Sequence, residues 1–79
     1  MIIVMGALIF PAIAQSEEDV LTLYRSSAID PTMRIHLATF DSTNGKDYNS
    51  ENCWIAAELF LSQDGVTVRY WCEQGRYRP

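Results

Sequence analysis

Every charged side chain in this chain lies after residue 14. The opening stretch, MIIVMGALIFPAIA, holds none of the sixteen Asp, Glu, Lys and Arg residues. That break sets how much chain is left to build a domain. An apolar run over 2–10, Pro11 and the small-x-small triplet Ala12, Ile13, Ala14 have the form of a secretory signal, with the mature chain starting at Gln15. As a helix, the stretch reaches about 21 Å at 1.5 Å per residue, short of the roughly 30 Å hydrocarbon core. A cleaved signal therefore fits better than a spanning anchor, with a buried N-terminal element of the domain as the competing reading. Gln15 stands where a lipoprotein needs Cys, so no lipid attachment is expected and no stable membrane span remains after cleavage. The expected location is exported, periplasmic or secreted.

The remainder, residues 15–79, has room for one compact domain. A core of that size commonly needs a staple. Two cysteines, Cys53 and Cys72, answer that need. Ten carboxylates face six basic side chains, a balance that repels phosphate backbones and excludes nucleic acid as the expected partner.

Four segments carry periodicity. Residues 20–25 (VLTLYR) are rich in β-formers and read as a strand. A helix competes there, because Ser16 followed by Glu17, Glu18 and Asp19 looks like a capped acidic first turn. Residues 33–40 (MRIHLATF) alternate, placing Met33, Ile35 and Leu37 on one side and Arg34 and His36 on the other. Between them the Asp30-Pro31 step disfavours helix and starts a turn, which makes an antiparallel hairpin the economical joint. After the polar loop DSTNGKDYN a helix is predicted over 50–63, capped by Asn49 or Ser50. Its core stripe is Cys53, Ala56, Ala57 and Phe60, flanked by Ile55 and Leu59. A last strand, 66–73, puts Val66, Val68, Tyr70 and Cys72 on one face and Thr67, Arg69, Trp71 and Glu73 on the other.

The order strand-strand-helix-strand predicts an α+β domain: a three-stranded mixed sheet with one helix on one face. Its second and third strands would be parallel neighbours joined through the helix. Cys53 on the helix stripe and Cys72 on the core face of the last strand are then placed to meet. Their bridge would close a loop of about twenty residues and contribute on the order of 3 kcal/mol. The stretches MRIHLATFD, YNSENCWIAAELF and VTVRYWCEQGRYR resemble small exported bacterial proteins of uncharacterised role. The resemblance implies bacterial export and supplies no activity, ligand or site residue.

The sheet face away from the helix would display Arg34, His36, Arg69 and Trp71, with Thr67 and Tyr24 nearby. Arg and Trp anchor interfaces, so these four are the candidate binding residues, for another protein or an envelope component. The bland alternative is that long side chains only cover the back of the sheet. His36 has no grouped partners of the kind a catalyst or metal ligand needs, and no serine sits in a nucleophile motif. The oxygen-rich loop from Asp41 to Glu51 has Gly45 where a calcium loop wants a ligand. No enzyme activity, cofactor or metal is expected. The runner-up function is a thiol-disulfide redox accessory protein, with Cys53 activated in the first helical turn and Cys72 resolving. Against it, the pair lacks the Cys-x-x-Cys spacing.

Overall fold

The structure, a computed structural model, describes residues 16–79; the predicted signal segment and its cleavage point at Gln15 lie outside the described residues. The acidic stretch behind Ser16 forms a single 3-10 turn, Glu17–Asp19, with the Ser16 hydroxyl accepting from the Glu18 N–H at 3.4 Å. The chain then extends into β1, Leu21–Ser26, so the strand reading of this segment prevails over the helical one. β1 reads as a strand because both its faces are buried: Leu21 and Leu23 on one side, Thr22, Tyr24 and Ser26 on the other.

A turn follows at the Asp-Pro step. Ser27 Oγ accepts from the Ile29 and Asp30 N–H groups at 3.0 and 3.1 Å, and Asp30 Oδ1 accepts from Thr32 N at 3.0 Å and Thr32 Oγ1 at 2.7 Å. These side-chain acceptors close the loop locally. The chain returns as β2, Arg34–Phe40, antiparallel to β1. Pairing slips once: Leu23 faces Ala38 but Tyr24 faces His36, so Leu37 is an extra residue in a bulge. The bulge switches the phase of the alternation. Arg34 and His36 keep the face expected of them, whereas Ala38 and Phe40 turn toward the core and Leu37 is left exposed.

Helix α1 spans Lys46–Leu61, one turn earlier than the sequence pattern predicts, and its N-cap is Gly45 at φ 105°. Only glycine takes that backbone conformation readily. Asn49, predicted as the cap, is instead a buried helix residue. Its Oδ1 accepts from Ser42 N at 2.9 Å, and its Nδ2 donates to the carbonyls of Asp19 at 2.8 Å and Ser42 at 3.0 Å. It ties the start of the helix to the loop before it and to the 3-10 turn.

β3, Tyr70–Gln74, is shorter than predicted, and its place in the sheet corrects the expected topology. The strand order is β2-β1-β3, with both neighbour pairs antiparallel, so the sheet is antiparallel rather than mixed. β2 and β3 do run the same way, as the helical crossover requires, but β1 lies between them. The physical reason is burial. β1 is the strand with two faces to hide, and at the centre of the sheet side chains from both neighbouring strands can close over it, as Arg34 from β2 and Trp71 from β3 do over Tyr24.

The rest of the fold class holds: α+β, in the order strand-strand-helix-strand, with one helix on one face and one disulfide. Leu21, Leu23, Cys53 and Ala57 form the core between sheet and helix, with Ala38, Phe40, Ala56, Tyr70 and Cys72 packed around it. Cys53 and Cys72 are bonded to each other, with Cα atoms 6.2 Å apart. Among the described residues no helix is long and apolar enough to cross a membrane.

With six buried hydrophobic residues among the described residues, the bridge supplies a large share of stability. Replacing both cysteines by Ala should cost on the order of 3 kcal/mol, by the loop-closure effect on the unfolded chain. Urea denaturation of the double variant beside the parent measures this; a loss under about 1 kcal/mol would contradict a stapling role.

A candidate interaction face around Tyr24

The helix covers one face of the sheet. On the other face Tyr24 stands at the centre of the middle strand, only 1% exposed although, among the described residues, no second layer of secondary structure lies over it. Its cover is made of side chains. Arg34 reaches from β2 with its guanidinium carbon 4.3 Å from the Tyr24 ring centroid, a cation–π contact. The same guanidinium grips Glu73 on β3, Nε to Oε2 at 3.1 Å and Nη2 to Oε1 at 2.8 Å. Arg34 thus bridges the two edge strands across the central one. Trp71, opposite Tyr24 in the β1–β3 register, stacks on it at 6.0 Å and 26°, and its Nε1 donates to Glu73 Oε2 at 2.7 Å.

The segment 75–79 completes the cover. Gly75 donates its N–H to the Val20 carbonyl at 2.7 Å and accepts from Thr22 Oγ1 at 2.6 Å. Ion pairs at 3.1 Å join Arg76 to Asp41 and Arg78 to Glu17. This course lays Tyr77 on His36, ring centroids 4.7 Å apart and planes within 14°, at the flank of Tyr24. His36 Nε2 lies 3.1 Å from Thr39 Oγ1.

The four predicted binding residues, Arg34, His36, Arg69 and Trp71, therefore do share one face. Their engagement differs. Arg34, though exposed, is clamped by two hydrogen bonds to Glu73, and Trp71 is half-buried on Tyr24, whereas Arg69 and His36 are exposed and each makes one side-chain hydrogen bond. Arg69 rests its guanidinium 4.8 Å from the Trp71 ring centroid and donates from Nη2 to the Pro31 carbonyl at 3.2 Å. Its backbone is fixed against β1, where Ser26 Oγ accepts the Arg69 N–H at 2.9 Å. Two contributors were not singled out from the sequence. Glu73 lies on the predicted face by alternation, but nothing in the pattern marks it as the partner of Arg34. Tyr77 sits beyond the last periodic segment, and only the Gly75 bend at φ 101° turns it back over the sheet.

No family model, curated protein or solved structure matches this chain. What the face can do rests on its own chemistry.

The Arg34 hydrogen bonds are the first cause holding the Glu73 carboxyl below its usual range; burial opposes them, and the Trp71 N–H and the Arg34 charge add to the lowering. The same bonds hold Arg34 above its usual value. In the unfolded chain Glu73 returns to about 4.3. The pair therefore stabilises the fold above that pH, and its contribution is lost as pH falls through the lower folded value. Both side chains are about two-fifths exposed, so solvent screening keeps the effect modest. Glu73→Gln should flatten the acid limb of the stability curve below about pH 5. Urea midpoints across pH measure it; an unchanged limb would place the acid sensitivity elsewhere.

Burial also ranks the aromatic residues. Phe60, predicted on the core stripe, lies near the end of α1 and is 39% exposed, stacked on Tyr70 at 4.9 Å. Phe60→Ala should cost about 1 kcal/mol, whereas Tyr24→Ala should cost about 3–5 kcal/mol, with Trp71→Ala between them. Thermal melts test the order, and a Phe60 variant less stable than the Tyr24 variant would reverse it.

Proposed function

We propose that the protein is an exported, disulfide-stapled interaction module that binds another protein or an envelope component through the sheet face carrying His36, Arg69 and Trp71. One observation carries this reading: among the described residues the second face of the sheet is covered by its own cations, aromatics and the Glu73 carboxylate, and the outermost pair is an exposed guanidinium resting on an indole. Such a pair gains about 0.5–1 kcal/mol in water and more when a partner removes the water. Arg and Trp are the residue types that dominate binding energy at interfaces. Arg34 serves here as a positioning residue, because Glu73 and Tyr24 occupy its guanidinium.

Export is supported by the charge-free opening stretch and by the disulfide, a bond that persists in oxidising compartments. The redox alternative loses the feature that suggested it. With α1 starting at Lys46, Cys53 lies two turns inside the helix rather than in its first turn, beyond the reach of the N-terminal dipole. Its exposure is 0%, which blocks attack at its own sulfur and leaves the half-buried Cys72 as the more accessible end of the bond.

The test uses envelope extract with the protein as bait. Arg69→Glu and His36→Ala each remove one outer stacking contact and leave Arg34, Glu73 and Trp71 in place over Tyr24, so their melts should stay within about 1 kcal/mol of the parent, while capture of the specific partner falls at least about tenfold. Trp71→Ala is the poorer probe, since it also uncovers Tyr24. Identical capture by the parent and the Arg69→Glu, His36→Ala double variant would remove this face from the reading.

A further inference from the structure

Helix α1 is built inside out. Its core side carries small residues, Cys53, Ala56 and Ala57, while Trp54, Ile55, Leu59 and Leu61 are between 44% and 63% exposed. From Cys53 to Leu61, Glu58 is the one polar residue, and a helical stretch apolar on nearly every side is ordinarily covered on nearly every side. At 3.6 residues per turn, Tyr48, Asn52, Ile55 and Leu59 form one continuous rail along the outer side, spaced four, three and four apart. That spacing is the seam against which another helix packs, and a polar Asn within such a seam selects register. Beside the rail runs a line of carboxylates, Asp47, Glu51 and Glu58, all exposed. The ion pairs among the described residues engage none of the three.

The charge decides what fits. A second copy would set the same carboxylates against each other in a chain of net charge −4, and an anionic lipid surface would be repelled. A cationic helix is attracted. We propose that the outer side of α1 is a docking site for a basic amphipathic helix of another polypeptide, its apolar stripe packed along Tyr48, Ile55 and Leu59 and its Lys or Arg side chains meeting Glu51 and Glu58. This mode lays an amphipathic helix into an apolar groove through anchors at i, i+3 or i+4, and i+7. The surface is separate from the Arg69 and Trp71 face, so either reading can fail alone.

The full chain is titrated with three synthetic helices, with amide chemical shifts of α1 as readout: one with a leucine stripe flanked by lysines, one with the same stripe flanked by glutamates, and one with the basic composition shuffled. The basic amphipathic helix should shift α1 resonances and bind at least about tenfold more tightly than either control. Ile55→Ser with Leu59→Ser should weaken it about tenfold or more. Glu51→Gln with Glu58→Gln should weaken it and remove most of its salt dependence. Because all four positions are exposed, circular dichroism should show these variants folded. Arg69→Glu should leave the affinity within about twofold, which separates this site from the sheet face. Equal binding of the acidic helix, shifts confined to other elements, self-association of the chain through Ile55 and Leu59, or preferential binding to anionic phosphatidylglycerol vesicles would each overturn the proposal.

Discussion

The architecture depends on the double burial of β1. Leu21 and Leu23 point one way and Thr22, Tyr24 and Ser26 the other, and all are hidden from solvent. A strand with two such faces has to be flanked on both edges and covered on both sides. The hairpin supplies one flank and β3 the other, which is why β3 crosses past β2 to reach the far side of β1. One helix can cover only one face, and the described chain has no second helix to spare. The other face is closed by long side chains, with Arg34 laid across Tyr24 from edge to edge and locked to Glu73. A small domain thereby gets a second covered face from side-chain stems and rings instead of a second layer.

That solution has a consequence for recognition. A cover made of side chains ends in polar and cationic groups that point toward solvent, whereas a helical layer would have presented its own polar face. The same Arg and Trp residues that hide Tyr24 therefore furnish the chemistry of an interface, and structure and binding share one set of atoms. Arg34 and Trp71 lie on the structural side of that division, since Glu73 accepts from both. Arg69 and His36 lie on the other, in contact with the cover but not needed to close it.

Much of this was legible in the sequence because the alternation of period two is local. It put Arg34, His36, Arg69 and Trp71 on one face and Cys72 on the other, and the helical stripe put Cys53 opposite Cys72. What was not legible depends on contacts distant in sequence. The order of strands turns on the burial of Tyr24 by residues ten to fifty positions away, and alternation is silent about which neighbour a strand takes. The bulge at Leu37 reverses the phase of Ala38 and Phe40 without any glycine or proline to announce it. Asn49 looked like a cap because caps and buried tethers use the same amide. Its bonds to Ser42 and to the carbonyl of Asp19, thirty residues earlier, distinguish the two.

The helix sharpens the same point about periodicity. The stripe through Cys53, Ala56, Ala57 and Phe60 was identifiable from its i, i+3, i+4, i+7 spacing, and the bond from Cys53 to Cys72 agrees with it, although Trp54, Ile55, Leu59 and Leu61 carry apolar surface on other sides of the helix. Size then tells what hydrophobicity cannot. Small residues face the sheet and let the helix backbone approach the disulfide and the short side chain of Ala38, while the bulky Trp54, Ile55 and Leu59 face outward, where they contribute little to the stability of this chain. Burying side chains of that size is worth about 1.5–3 kcal/mol each, more than a domain with so small a core would forgo if folding were its only demand. The asymmetry of α1 is therefore better understood as a surface shaped for contact than as a core left unfinished.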